Sequence, residues 1–97
     1  MDRRIELQGV AFVWNTEKAD RNLRQHAVSF EEAIDAFFDP FVKVVDATRK
    51  GEPRDALLGM DRHFRLLFVV HVETEDEAFR IISARKATPE EWKLYED

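Results

Sequence analysis

The sequence contains no cysteine, only three glycines and three prolines, and no long apolar run. Without cysteine, a disulfide framework and a thiolate metal site are both excluded. The opening MDRRIELQGVAFVW is basic and then only briefly apolar, too short for a signal sequence or a membrane span. We therefore expect one cytoplasmic domain over residues 1–97, long enough to bury a core without cross-links.

Basic residues are outnumbered, with 15 Lys and Arg against 20 Asp and Glu, so the net charge is −5. Such a chain lacks the surplus of cations that holds a protein on nucleic acid without specificity. The charges are nevertheless segregated, with acidic residues concentrated at 31–39, 73–77 and 90–97 and basic residues at 18–24 and 80–86. A local basic surface is compatible with this acidic total.

The residue pattern predicts an α+β domain with the order β-α-α-β-β-β-β-α and helices packed on an antiparallel sheet. Predicted strands lie at 10–14, 42–47, 54–60, 64–72 and 79–85. Predicted helices begin after Asn15 or Thr16, after Ser29 and after Thr88, the last two within capping boxes that end on Glu32 and Glu91. Short connections between the last four strands favour a meander.

The first helix has an inner stripe of Ala19, Asn22, Leu23 and His26, half of which is polar. We interpret Asn22 and His26 as hydrogen-bonded anchors; alternatively, His26 is a general base or a phosphate ligand. Most aromatic residues are predicted to be core, namely Trp14, Phe30, Phe37, Phe38, Phe64, Phe68, Phe79 and Trp92. Tyr95 is the exception, since it could stack on a base.

Arginines recur on two predicted strands. Arg65 opens FRLLFVVHV on its less apolar face, and strict alternation in RIISARK places Arg80 and Arg85 on opposite faces. Spacing alone favours a structural role, in which the arginines cover sheet edges and pair with Glu52, Asp55 or Asp61. The alternative is that guanidinium groups from adjacent strands enclose one phosphodiester.

Glu52 and Arg54, in KGEPR, also permit two interpretations. They form either a surface ion pair of little energetic worth or a proton acceptor beside a charge that stabilises it. His63 and His71 have no third ligand near them in the sequence, so no metal site is predicted.

Four segments together resemble the BrnT family: FVWNTEKADRNLRQHAVSFEEAIDAFFDP, GEPRDALLG, RLLFVV and RIISARKATPEEWKLYE. The resemblance covers about residues 12–96, and its most specific parts are the N…H.VSFEEA helix pair and RIISARKAT. This family consists of toxins of type II toxin–antitoxin systems that look like relatives of the RelE ribonuclease fold. The family commonly has glycine where this chain has Ala27, and an alanine in a left-handed helix cap costs about 1 kcal/mol.

The resemblance implies a metal-independent endoribonuclease that needs no cofactor, stops translation and is neutralised by a BrnA-type antitoxin in a hetero-oligomer. It implies contact with operator DNA only through that antitoxin, and no membrane partner. Carried over by position, the family's E.R pattern falls on Glu52 and Arg54, and its strand-leading arginine falls on Arg65. The other matched positions are Lys18 with Asn22, the cations Arg80, Arg85 and Lys86, and Tyr95.

Our hypothesis for the chemistry is attack of the RNA 2′-hydroxyl on the adjacent phosphorus. Glu52 is the expected base, with His26 as the substitute, and Arg65, Arg80 and Arg85 are the expected charge clamp. The proton donor to the leaving oxygen is left open between Lys86, Tyr95 and an arginine-bound water. The alternatives from another class are a non-catalytic interaction module and a co-repressor that acts only through its antitoxin.

Overall fold

Six strands and three helices make up the chain, in a computed structural model that describes residues 1–97. In chain order they are β1 (Asp2–Leu7), β2 (Val10–Asn15), α1 (Thr16–His26), α2 (Phe30–Phe37), β3 (Lys43–Asp46), β4 (Asp55–Met60), β5 (Leu66–Glu73), β6 (Phe79–Lys86) and α3 (Pro89–Glu96). The α+β class is confirmed, but the predicted order lacks β1. That strand, DRRIEL, is charged and exposed apart from the half-buried Ile5, so it carries no clear strand pattern.

The strands form one sheet in the order β1-β2-β6-β5-β4-β3. The predicted meander is confirmed, since β3 to β6 pair in sequence order and antiparallel. The expectation of a wholly antiparallel sheet is wrong at one place, because β2 and β6 run parallel. Two helices and the meander lie between these two strands, which gives the chain the length that a parallel pairing needs.

The helices α1 and α2 cover one face of the sheet, here called the inner face. Its core cluster of 12 buried residues centres on Phe12, Trp14 and Phe30. The contact between α2 and β4 is close at Gly59, where an added Cβ would lie 2.3 Å from the carbonyl oxygen of Ala36. A glycine at this position lets the helix backbone lie on the strand. None of the three helices has the length and apolarity to cross a membrane.

Three predicted core aromatics are not core, namely Phe64, Trp92 and Phe68, which lies half-buried on the other face of the sheet. Phe64 is 82% exposed and has φ +62°, because it lies in the β4–β5 turn rather than at the start of β5. The carboxylate of Asp61 holds this turn by accepting the backbone N–H groups of His63 and Arg65, both at 2.9 Å. Trp92, on α3, is 37% exposed, whereas Trp14 is buried as predicted.

The stripe predicted for α1 is only partly correct. Asn22 is buried and is the expected anchor: its amide donates to the carbonyl oxygens of Val28 and Ala84 and accepts the Ala84 N–H. Leu23 and His26 are exposed instead, so His26 is not an anchor of the turn. The helix ends at Ala27, which adopts the left-handed conformation at φ +57°.

The alternation of faces along β6 is broken by a β-bulge. Ser83 pairs with Val70 and Ile81 with His71, so Ile82 is an extra residue without a partner on β5. Arg80 and Arg85 pair with Val72 and Phe68, two residues of β5 that lie four apart and share a face. The prediction that these arginines lie on opposite faces is therefore wrong.

The face of β5 that the sequence indicated to be less apolar, the one that follows Arg65, is the buried face in the structure. Leu67, Val69 and His71 all lie in the inner face. The opposite face of the sheet, here called the outer face, carries Phe68 and Val70, and α3 contacts it at β4. Arg80, Ser83 and Arg85 of β6 also lie on the outer face.

A cationic cleft as the candidate functional site

A cleft of about 390 Å³ opens on the outer face between the sheet and the β3–β4 connection. Its floor is formed by β5 and β6 and its wall by the connection. The lining residues are Ala47, Thr48, Arg49, Arg54, Phe68, Val70, Ser83 and Arg85. Three arginines therefore meet in one cleft of a chain whose net charge is −5.

The wall is a hairpin arm, defined as residues 47–54. Ala47 donates its N–H to the Arg54 carbonyl at 2.9 Å, and Arg49 and Glu52 exchange backbone hydrogen bonds at 3.2 and 2.9 Å. Between them, Lys50 and Gly51 have φ +52° and +77°, the two left-handed residues of a type I′ turn. This turn fixes Arg49 and Glu52 opposite each other at the tip of the arm.

The tip of the arm encloses a second hollow of about 330 Å³, lined by Arg49, Lys50, Glu52 and Arg54. Arg49 and Arg54 line both spaces, so the hollow adjoins the cleft. Glu52 is 71% exposed and pairs with Arg54 at 3.1 Å. Arg49 has no carboxylate within ion-pair distance.

Arg85 lies on the floor of the cleft, with its guanidinium group 4.3 Å from the centre of the Phe68 ring. Its two Nη atoms donate to the two carboxylate oxygens of Glu91 on α3, at 2.8 and 2.9 Å. These hydrogen bonds raise the pKa of Arg85 and hold the pKa of Glu91 below its usual value. The stacking on Phe68 keeps the guanidinium plane fixed in the cleft.

The groups of the cleft suit an anion with several oxygens. Guanidinium forks bind phosphate oxygens in pairs, and three such forks could surround one phosphodiester. Glu52 adds a carboxylate that can accept a proton at the edge of this site. The Ser83 hydroxyl offers a further hydrogen bond to a sugar or a phosphate, whereas the Thr48 hydroxyl already donates to Asp46 at 2.6 Å.

Of the predicted site residues, the structure brings Arg54 and Arg85 together in the cleft and places Glu52 beside Arg54 in the hollow at the tip of the arm. Arg80 shares the outer face with Arg85 but lies outside the cleft, and its Nη2 donates to Asp2 of β1 at 2.8 Å. This contact raises the pKa of Arg80. The prediction that Arg80 contacts RNA stays a prediction.

Arg65 lies elsewhere, within a network that joins the β4–β5 turn to the helices. Its Nε donates to Asp61 at 2.8 Å and its Nη1 to the carbonyl oxygen of Ala27 at 3.1 Å. Its Nη2 lies 2.7 Å from Asp61 and 3.0 Å from Glu32. The expected clamp of Arg65, Arg80 and Arg85 around one anion is therefore not present, because each guanidinium contacts a different acidic residue in a different place.

The remaining predicted residues are also outside the cleft. Lys18 and His26 are exposed on α1, and Lys86 is exposed at the end of β6. The Tyr95 hydroxyl donates to Asp39 at 2.5 Å and so ties α3 to the end of α2. Burial and this hydrogen bond raise the pKa of Tyr95 to about 12.

Sequence reasoning missed Arg49, Lys50, Ser83 and the position of Phe68. Arg49 and Lys50 had one available signal, since two cations before a glycine in a hairpin turn must lie at its exposed tip. Ser83 and Phe68 had none, because their shared face depends on the bulge at Ile82.

Two further features of the fold carry no part of this site. An apolar groove of about 200 Å³ lies on the inner face beyond the end of α2, beside His71 and Phe79. His71 is buried there, which lowers its pKa. No group of three or more His, Cys, Asp or Glu side chains is placed to hold a metal ion.

Comparisons with known proteins agree with this architecture. The family model described as the ribonuclease toxin BrnT of type II toxin–antitoxin systems matches residues 14–91. The crystal structure of the Brucella abortus ribonuclease toxin BrnT is similar in fold, with a TM-score of 0.56 and 24% sequence identity. That match covers 77% of this chain and 92% of the Brucella chain. No curated protein sequence matches this chain.

Proposed function

Since this chain belongs to the BrnT family of ribonuclease toxins of type II toxin–antitoxin systems, we propose that the cationic cleft is where it cleaves RNA. Membership of the family implies an RNA target and an antitoxin partner. The observation that supports the cleft as the site is the meeting of Arg49, Arg54 and Arg85 with Glu52 at its edge. Three other hollows of the structure, by contrast, have at most one Lys or Arg in their lining.

The proposed reaction begins with the scissile phosphate between the arginines. Glu52 takes the proton of the 2′-hydroxyl, whose oxygen attacks phosphorus and displaces the 5′-oxygen of the next nucleotide. The guanidinium groups stabilise the charge that gathers on the phosphoryl oxygens. The products are a 2′,3′-cyclic phosphate and a 5′-hydroxyl, and we propose that no metal ion is needed because the arginines supply the positive charge.

The leaving oxygen needs a proton, and Lys50 is the best placed donor. Arginine does not give up a proton at ordinary pH, so the three guanidinium groups cannot act as acids. Lys50 lines the same hollow as Glu52, at the tip of the arm. Of the donors that the sequence suggested, Lys86 and Tyr95 lie outside the cleft, and an arginine-bound water is the alternative to Lys50.

The biological setting is part of the proposal. We propose that cleavage inhibits translation in the cytoplasm and that a BrnA-type antitoxin blocks it by covering the cleft. Contact with operator DNA would be made through that antitoxin, because an acidic chain of net charge −5 does not hold DNA unaided.

Cleavage of a single-stranded RNA in the presence of a chelator tests this proposal. We expect Glu52→Gln, Arg49→Ala and Arg54→Ala each to cleave about 100-fold more slowly than wild type under single-turnover conditions. Arg62→Ala is the matched control, because Arg62 is an exposed arginine that pairs with Asp35 away from the cleft. Equal rates for wild type and all four variants would reject the cleft as the site.

A second candidate is a non-catalytic interaction module or co-repressor. The observation in its favour is that Arg54, Arg80 and Arg85 each already have an acidic partner within the chain. The two functions differ in one outcome. If the protein is an enzyme, the Arg54→Ala variant no longer arrests growth but still binds the antitoxin. If it is a docking protein, a variant that still binds its partner also still arrests growth.

A further inference from the structure

Glu91 binds Arg85 in the manner of a phosphate. Two parallel hydrogen bonds, at 2.8 and 2.9 Å, join the two carboxylate oxygens to the two Nη atoms. The Glu91 side chain is mostly buried, with 15% of its surface exposed. The fork of Arg85 that would grip a phosphodiester is therefore occupied in the protein without RNA.

The position of Glu91 is fixed by its own helix. Its Oε1 accepts the Thr88 N–H at 2.8 Å, and the Thr88 hydroxyl accepts the Glu91 N–H at 3.3 Å, which completes a capping box. The carboxylate is thus tethered beside the cleft whether or not it is bound to Arg85. A phosphate that enters the cleft must displace the Glu91 carboxylate from Arg85, and this carboxylate stays close by and is negatively charged like the phosphate.

We propose that Glu91 is an internal competitor for Arg85 and so sets the affinity of the cleft for RNA phosphate. This inference rests on the proposed function of the cleft. Glu91 acts through Arg85 and does not itself touch the reacting atoms. Removing its charge should release the guanidinium for RNA, so that binding becomes stronger rather than weaker.

The chain contains a matched control for this idea. The capping box at the start of α2 has the same chemistry, with Glu32 accepting the Ser29 N–H at 2.9 Å and pairing with Arg65 at 3.0 Å. That pair lies outside the cleft. In both boxes, replacing glutamate by glutamine keeps an oxygen that can accept the capping N–H and removes only the charge.

The experiment is equilibrium binding of a 2′-fluoro RNA oligonucleotide, which lacks the attacking hydroxyl and cannot be cleaved. We expect Glu91→Gln to lower Kd about fivefold, the factor that corresponds to loss of one partly exposed ion pair. The slope of log K against log salt should stay unchanged, because Arg85 contacts the same phosphate in both complexes. Glu32→Gln should change neither quantity.

Thr88→Ala separates charge from helix stability, because it removes the cap hydroxyl and leaves the Glu91 carboxylate in place. Equal tightening by Thr88→Ala and Glu91→Gln would overturn the inference, since fraying of α3 would then be the cause. Unchanged or weaker binding by Glu91→Gln would also overturn it. The proposed function survives that outcome if Arg54→Ala still weakens binding, and it fails if Arg49→Ala and Arg54→Ala have no effect.

A measurement on the wild-type protein covers the case in which a variant does not fold. The ¹³C resonance of the Glu91 carboxyl should move on addition of the same oligonucleotide, as the carboxylate loses Arg85, while that of Glu32 should not. A Glu91 resonance that stays still at saturation would contradict the exchange.

Discussion

At the scale of single residues, the backbone angle of Ala27 sets a stability cost that one substitution can remove. The Ala27 N–H donates to the Leu23 carbonyl at 2.9 Å, so the left-handed residue completes the end of α1. We expect Ala27→Gly to raise the free energy of unfolding by about 1 kcal/mol, because glycine adopts this conformation without a Cβ clash. Urea denaturation of the wild type and the variant measures this change in the free energy of unfolding.

The opposite change within the same helix is the control. Ala19→Gly lies in the interior of α1, and it should lower stability by about 1 kcal/mol. Two changes of the same sign would show that the angle at position 27 is not the cause.

An arginine that pairs with a buried carboxylate and an arginine in a partly exposed ion pair should differ in how much stability is lost when each is replaced by alanine. Arg65→Ala leaves the fully buried carboxylate of Asp61 without its partner, which should cost about 3 kcal/mol of stability. Arg54→Ala removes only a partly exposed ion pair and should cost less than about 1 kcal/mol. Thermal unfolding of both variants checks this order, and a reversed order would remove the structural role assigned to Arg65.

At the scale of elements, the docking of α2 on β4 depends on Gly59. An added Cβ would meet the backbone carbonyl of Ala36, which cannot rotate away as a side chain would. We expect Gly59→Ala to cost about 3 kcal/mol through forced separation of the two elements, as measured by urea denaturation. Gly9→Ala is the control, because no atom lies within 4 Å of its added Cβ and only the positive φ opposes it.

Elements with strong local signals could be predicted from the sequence. Both capping boxes are present as expected, with Ser29 and Thr88 as N-caps, since cap chemistry involves only four consecutive residues. The strand β1 could not be predicted, because it is held by pairing with β2 and not by its own pattern. The parallel β2–β6 pair depends likewise on how distant segments meet.

At the scale of the whole molecule, stability should fall in acid in two stages. Burial lowers the pKa of His71 from 6.5, so the unfolded chain takes up a proton first, and stability present above about pH 6.5 is lost as pH falls below it. Hydrogen bonds hold the pKa values of Glu32 and Glu91 below 4.5, so their contribution is present above about pH 4.5 and is lost below it.

Chemical denaturation across this range measures both stages. Replacing His71 by leucine, which does not titrate, should abolish the first stage and leave the second. A wild-type stability that stays constant from about pH 7 to pH 5 would contradict the assignment to His71.

The candidate site also belongs to this scale, which explains why only part of it could be predicted. Glu52, Arg54 and Arg85 were found because each stands in a recognisable local motif. That Arg54 and Arg85 share a cleft with Arg49, with Glu52 in the hollow beside it, follows from the arm lying over β5 and β6. The alternation of side chains along a strand does not predict where the arm lies over the sheet. It also does not show which arginines pair with acidic residues of distant elements.

Because β6 contains the extra residue Ile82, the side chains that reach the outer face are set by the number of residues in this strand and not by which amino acid stands at position 82. Ile82 has no partner on β5, and its presence puts Arg80 on the same face of the sheet as Arg85. Among related sequences, this point of the chain should therefore tolerate exchange of one amino acid for another but resist any gain or loss of length.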